Sequence, residues 1–266
     1  MTTTDPTAVI AQLRAAGCVF AEDEARLLTA AAARTGTAVE VLVAQRVTGT
    51  PLEHLLGWAE FHQLRVTVTP GVFVPRQRTT FLVDRAIELI RAGTGHRIVD
   101  LCCGSGAVGM AVTTIATAEG HAVTLTAADI DPVAVACARR NLGPLGATVY
   151  TGDLFEPLPE ELSGHIDILL CNAPYVPSAM IERMPPEARD HEPRAALDGG
   201  DDGLDIIRRV TADAIAWLAP GGHLLVETSR RQSPLVLARM IDHGLISRVA
   251  ESDDRDATVV IGTRPQ

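Results

Sequence analysis

Ile98-Val99-Asp100-Leu101-Cys102-Cys103-Gly104-Ser105-Gly106-Ala107-Val108-Gly109 decides how the rest of the chain is read. Apolar residues around a single Asp make a short strand buried on both faces. Cys102 to Gly106 then form a tight loop, and the pattern from residue 107 to 118 is helical. Working outward toward the C-terminus, the alternation repeats. Residues 123–127 read as a second strand, ending near Asp129, and Asp131-Pro132 caps a helix running to Leu142. Residues 148–150 and 166–171 read as the third and fourth strands. A helix ending near Leu218, a fifth strand at 223–227 and a helix from Ser233-Pro234 follow. Residues 246–250 and 258–262 close the series as an antiparallel pair. Short strands alternating with helices predict an α/β fold, a parallel sheet with helices on both faces.

Toward the N-terminus the pattern changes. Residues 1–56 read as a small helical domain, with Asp5-Pro6 opening a first helix and Gly36 closing a second. Thr37 and Glu40 form a capping box for a third, whose apolar side carries Leu42, Val43 and Val47. Residues 57–78 read as a β-hairpin linker. Leu64, Val66 and Val68 alternate with Arg65, Thr67 and Thr69, and Pro70-Gly71 supplies the turn before Phe73-Val74-Pro75-Arg76. A helix over 79–92 begins the catalytic domain, assigned to 79–266.

The totals exclude several classes. The formal net charge of -10, with no run of Lys or Arg, argues against a nucleic-acid partner. No apolar segment approaches the roughly 18–20 residues that span a bilayer, and the first residues lack a signal-peptide profile. Five cysteines without a C-x-x-C pair read as reduced thiols of a cytoplasmic protein, with no metal site. The acidic run from Asp198 to Asp205 lacks the order of a calcium loop and reads as a turn and helix cap.

Gly104 to Gly109 matches G-x-G-x-x-G between a strand and a helix. That string fits a dinucleotide and a methyl donor equally, because both need close approach of backbone to ligand. Asp129 ends the second strand where an acid holds ribose hydroxyls. Three features favour the methyl donor, S-adenosylmethionine. Asp100 is placed to brace the loop or the donor's ammonium. Asp153 and Leu154 follow the third strand, where an adenine needs a polar group and an apolar flank. The fourth strand ends in Asn172-Ala173-Pro174-Tyr175, a stiff turn that does nothing for hydride transfer. Asn172 offers a side-chain carbonyl, Ala173 a main-chain carbonyl, and Tyr175 a flat wall: two oxygens and a ring for a planar –NH2 acceptor.

With these residues in view, the chain resembles the PrmC/HemK-type glutamine methyltransferases. The shared segments are Thr50-Pro51-Leu52, Val72 to Arg76, Asp100 to Gly106, Gly152 to Phe155, Asn172 to Tyr175, and Glu192-Pro193-Arg194 through Gly200. The resemblance implies a class I, Rossmann-like S-adenosylmethionine-dependent methyltransferase that methylates a glutamine side-chain amide in a peptide-chain release factor. It implies donor contacts from Cys102, Cys103, Gly104, Ser105, Gly106, Asp129, Leu154 and Asn172. Asn172, Ala173, Pro174 and Tyr175 would hold the glutamine, with Phe73 and Arg76 near the cleft. Three places depart from the family pattern. Ala173 stands where the family has Pro, Cys102-Cys103 replace Gly-Thr, and Gln77-Arg78-Thr79 replaces Pro-Glu-Thr. An N6-adenine methyltransferase, a paralogue acting on another amide or amine, an NAD(P)-dependent oxidoreductase and an inactive donor-binding domain are the alternatives.

Overall fold

The computed structural model describes residues 5–93 and 96–266; the first four residues, part of the stretch expected to lack a signal-peptide profile, lie outside the described residues. Asp5 accepts a hydrogen bond from the Thr7 N–H at 3.0 Å, and Pro6 takes the first helical position. A cap and a pre-set φ therefore start α1 (Pro6–Ala15). It packs with α2 (Ala21–Thr35), α3 (Val39–Val47) and the short α4 (Leu52–Leu56). Leu13, Leu28, Leu42, Val43 and Leu56 form a core of their own among these helices.

Two expectations for this region are corrected. Ala38, not Thr37, is the N-cap of α3, and no side chain caps it. The Thr37 N–H instead lies 3.3 Å from the Thr35 hydroxyl, at the end of the preceding helix. Val47 is exposed, while Arg46 is buried in its place. A guanidinium can be buried only when its donors are met, and the partners come from outside α3, as described below.

The hairpin is real but its arms differ from expectation. β1 (Trp58–Phe61) pairs antiparallel with β2 (Leu64–Thr67), so the turn is His62-Gln63. Both turn residues have positive φ, 49° and 61°, as a two-residue hairpin loop demands. Pro70-Gly71 instead bends the chain away toward Val72 and Val74, which are buried with Ala59, Val68 and Cys137.

A turn over Gln77–Thr79 leads into α5 (Thr80–Arg91). Then come β3 (Arg97–Leu101), α6 (Ala107–Ala118), β4 (Thr124–Asp129), α7 (Pro132–Leu142), β5 (Thr148–Thr151) and β6 (Ile166–Cys171). After α8 (Pro186–His191) the chain finishes with α9 (Asp205–Trp217), β7 (Leu218–Thr228), α10 (Ser233–Asp242), β8 (Ile246–Ser252) and β9 (Ala257–Thr263). The seven strands β3–β9 form one sheet in the order β5-β4-β3-β6-β7-β9-β8, parallel except for the pairings of β9. No helix among the described residues is long and apolar enough to cross a membrane.

The pleat divides the core. Ile168 and Leu170 of β6 join the α5–α6 side with Leu82, Ile98 and Val112. Leu169 and Cys171 face the other way, with Val99, Leu101, Ile207 and Met240. Alternate residues pointing to opposite covered faces explain why the strand reads as continuously apolar. Its one acid, Asp167, accepts the N–H groups of His96 and Arg97 at 2.8 Å each and so fastens the start of β3. β3 and β6 are neighbours in mid-sheet, and the loops leaving their carboxyl ends open into the same crevice.

Candidate active site

The first wall of the crevice is the loop between β3 and α6. Asp100 is buried, and its Oδ2 accepts the Gly109 N–H at 2.9 Å. A Cβ on Gly109 would fall 2.9 Å from Leu125 and 3.0 Å from that same oxygen, so only glycine lets α6 sit this close to the sheet. Gly106 takes φ 78°, and a Cβ there would meet Leu142 at 2.9 Å. Gly104 also has positive φ, 55°, but a Cβ there would meet no protein atom within 4 Å. Its surface is bare backbone turned to open space.

Asp129 holds this loop from the next strand. Its Oδ2 accepts the Gly104 N–H at 2.8 Å and its Oδ1 the Asp131 N–H at 2.9 Å. Asn141 of α7 adds a brace that sequence reasoning missed. Its amide donates to Ser105 O (2.8 Å) and Thr67 O (2.9 Å), and its carbonyl accepts the Thr67 N–H (2.9 Å), tying hairpin to loop.

Two non-glycine residues in these loops, Cys102 (φ 54°) and Leu154 (φ 50°), adopt left-handed backbone. Such strain costs of order 1–3 kcal/mol and gathers where a ligand is cradled. At Cys102 the family's glycine would carry none of it.

The second wall is the turn after β6. Among the described residues no hydrogen bond engages the Asn172 carboxamide, and Ala173 is buried beside it. Tyr175 is anchored at both ends. Its hydroxyl donates to Glu227 Oε1 at 3.1 Å, and its backbone carbonyl accepts from Gln232 Nε2 at 2.9 Å. Gln232 also donates to Asp202 O at 2.9 Å, while its own carbonyl receives the Ser229 hydroxyl at 2.5 Å. Gly203 packs under this joint, where a Cβ would lie 2.3 Å from Tyr175 O.

A third side comes from the segment before α5. Arg76 stacks over the Phe73 ring at 4.8 Å and donates to Glu192 at 2.5 Å, while Glu192 Oε1 accepts the Val74 N–H at 3.0 Å. Arg78 follows, 3.6 Å from Glu227 and 5.8 Å from the centre of the Tyr175 ring.

Together these walls enclose a cavity of about 380 Å³. Every residue expected at the site lines it except Gly106, whose role is to shape the loop from behind. His191 is not among the lining residues; it lies against Gly49 of the helical region. Asp198 and Asp202 spend their carboxylates on the Gly200 and Leu204 N–H groups, as turn and cap. Glu227 and Gln232 were not singled out by sequence, and Arg78 was named only as a departure from the family pattern. For the first, the signal lies in the topology: β7 runs beside β6 and Glu227 sits at its carboxyl end.

The electrostatics divide the cavity. Burial pushes the Asp100 carboxyl up to about 7; the Gly109 N–H opposes this and the Asp129 charge adds to it. Burial likewise raises Asp129, against the pull of its backbone donors. Burial raises the Tyr175 phenol, with the Glu227 charge adding to the effect, so it stays a neutral donor. One end of the cavity therefore holds Asp100, Asp129 and bare glycine backbone, and the other an amide, a carbonyl and a neutral phenol backed by Glu227 and Arg78.

The methyltransferase small domain family matches residues 63–187. A release factor glutamine methyltransferase of Geobacter sulfurreducens is 38% identical over 225 residues, covering 84% of this chain and 76% of the relative. The chain belongs to the release factor glutamine methyltransferase family. Membership settles the reaction class as methyl transfer and sets hydride transfer aside.

Within solved structures, a methyltransferase from Pyrococcus furiosus shares the fold at TM-score 0.54 and 16% identity, covering 77% of this chain and 91% of that one. A further relative of this chain carries a different acceptor in its name. A 4-amino-L-phenylalanine/4-methylamino-L-phenylalanine methyltransferase of Streptomyces pristinaespiralis is 38% identical over 190 residues, 70% of this chain and 63% of the relative.

Proposed function

We propose that this protein transfers the methyl group of S-adenosylmethionine to the side-chain amide nitrogen of a glutamine in a peptide-chain release factor, in the cytoplasm. The observation that carries this reading is the Asn172–Tyr175 turn opening into the same cavity as the glycine loop. The residues suit the donor. Gly104 leaves bare backbone for its amino-acid part, Asp100 offers a buried carboxylate for its ammonium, and Asp129 retains lone pairs for ribose hydroxyls. Asp153 and Leu154 line the cavity where adenine would lie, with Asp153 steadied by Arg209 at 2.6 Å.

Bound there, S-adenosylmethionine supplies an electrophilic methyl on a sulfonium whose leaving group is a neutral thioether. The chain's own residues position the acceptor. An amide nitrogen is a poor nucleophile because its lone pair is delocalised into the carbonyl. Asn172 Oδ1 and the Ala173 carbonyl accept hydrogen bonds from the –NH2 group, and these strengthen as positive charge develops on nitrogen. Tyr175 and Phe73 supply flat surfaces for the planar carboxamide, and exclusion of water sharpens the electrostatics. The carbonyl of Ala173 does the same work as that of the family's proline. The N-terminal helices, as a domain over 1–56, contribute to recognising the release factor; α3 reaches α8 through Arg46 and Glu187, 2.6 Å apart.

The test is label transfer from methyl-labelled S-adenosylmethionine to a purified release factor. Label in the native factor, and none after its acceptor glutamine is replaced by Ala, is the expected result. Label found on 4-aminophenylalanine but not on the factor would favour an arylamine acceptor, the reading that the Streptomyces relative suggests.

Donor affinity should depend on pH. Asp100 is raised to about 7 without ligand, and a cationic ammonium beside it favours the ionised form. Below 7 the carboxyl is protonated and must shed its proton for the pair to form. The Kd should therefore tighten about 25-fold from pH 5.5 to 7.5, read by titration calorimetry, with Asp100→Asn flattening the dependence.

A further inference from the structure

Glu227 has no part in the scheme above, yet it is the best-prepared carboxylate in the cavity. It is 2% exposed, lies at the carboxyl end of β7, and follows the Cys171–Val226 pairing, so it stands beside Asn172 across the two strands. Its Oε1 is engaged by the Tyr175 hydroxyl at 3.1 Å and faced by Arg78 at 3.6 Å. Its Oε2 makes no well-formed hydrogen bond, the one buried carboxylate oxygen among the described residues of which that is true. The Thr79 hydroxyl, likewise without a well-formed bond, is the neutral donor that faces the carboxylate. A buried polar atom without a well-formed hydrogen bond costs about 1–3 kcal/mol, and Glu227 and Thr79 both line the cavity, so the pair points to a ligand that completes their hydrogen bonding.

The chemistry has a matching need. A nitrogen that gains a methyl group while keeping both hydrogens is cationic and must lose a proton. The two clamp oxygens, Asn172 Oδ1 and Ala173 O, are amide oxygens; they accept hydrogen bonds but hold no proton at neutral pH. The other acids of the cavity are spoken for: Asp129 by two backbone N–H groups, Asp131 by the Val133 N–H, Asp153 by Arg209, Asp198 by Ser178 and Gly200, and Asp100 by the Gly109 N–H and, in the scheme above, by the donor's ammonium.

We propose that Glu227 is the proton acceptor of the reaction, taking the proton that the acceptor nitrogen sheds. The inference rests on the methyl-transfer reading. The N–C bond forms as the C–S bond breaks, with the C–S pair remaining on sulfur. The N–H bond then breaks, its pair returning to nitrogen, and the proton passes to the Glu227 carboxylate. The products are a neutral N-methyl group, a neutral thioether and a protonated Glu227, which returns its proton to water when product leaves. The same balance holds for an arylamine acceptor.

Burial raises the Glu227 carboxyl above its ordinary value, while Thr79, Arg78 and Tyr175 draw it back. Arg78 and Tyr175 are the charged and titratable groups that face it; β9 opposes it with Val259. Raising a carboxyl toward neutrality makes it a better base and also sets an acid limit on turnover.

The test is Glu227→Gln, which preserves shape and can still accept from Tyr175 but holds no proton. Expected is a fall in kcat of about tenfold or more, with KM for the acceptor changed less than about threefold. The acid limb of the wild-type kcat profile should flatten in the variant. Donor binding by calorimetry should be unchanged. A kcat within twofold of wild type, or a KM effect with kcat preserved, overturns the proposal. Should the variant fail to fold, a wild-type kcat profile with no acid limb overturns it equally. Absence of methyl transfer by the wild-type protein itself would instead overturn the parent reading.

Discussion

Asn172→Ala should lower turnover on the release factor by one to two decades or more while leaving the protein folded. The charge-assisted hydrogen bond it removes is worth roughly 1.5–3 kcal/mol, and each 1.4 kcal/mol or so is tenfold in rate. The interaction grows as the nitrogen becomes cationic, so the loss should fall on kcat as well as on kcat/KM. Stability should hardly move, because among the described residues no hydrogen bond engages the Asn172 carboxamide. Thermal denaturation within about 0.5 kcal/mol of wild type is expected. The measurement is single-turnover methylation with saturating donor. Turnover within threefold of wild type would show that the two-oxygen clamp is not what activates the amide.

The strands and helices of the sheet were readable because their determinants are local. The unbroken apolar run of β6 required two covered faces, and G-x-G-x-x-G between strand and helix required a loop of the kind found. Where the determinant lies elsewhere in the chain, reading failed. His62 and Gln63 carry no turn signature; positive φ is imposed on them by pairing between Trp58–Phe61 and Leu64–Thr67. Val47 looked like the buried residue of α3 because apolarity was the available guide, and no local pattern shows that acids from two other helices reach Arg46. Glu227 and Gln232 were missed for the same reason. Their importance comes from standing next to the Asn172–Tyr175 turn across the sheet, and adjacency of β6 and β7 is a property of topology. The clamp itself was legible because amide, proline and aromatic are contiguous.

The largest effect on stability is expected from Arg46→Met. Arg46 Nε and Nη2 donate to the two oxygens of Glu24 at 2.6 and 3.2 Å, and Nη1 donates to Glu187 at 2.6 Å and to Thr50 O at 3.3 Å. Burial alone would lower the Arg46 pKa, but the two carboxylates more than reverse it, so the cation is firmly held. Glu24 is 8% exposed. Removing the guanidinium leaves that carboxylate buried without its counter-ion, which costs about 3–5 kcal/mol. The helical core should then melt roughly 10 °C earlier, or as a separate first transition followed by circular dichroism. A lost attraction alone and a stranded charge predict different outcomes for the double variant Arg46→Met with Glu24→Leu. If the stranded Glu24 is the cause, the second substitution should restore most of the loss. If the pair were worth its full attraction, the double variant would be no more stable than the single one. A single variant melting within about 2 °C of wild type would mean that Glu24 takes up a proton at little cost and that the cluster does not hold α2, α3 and α8 together.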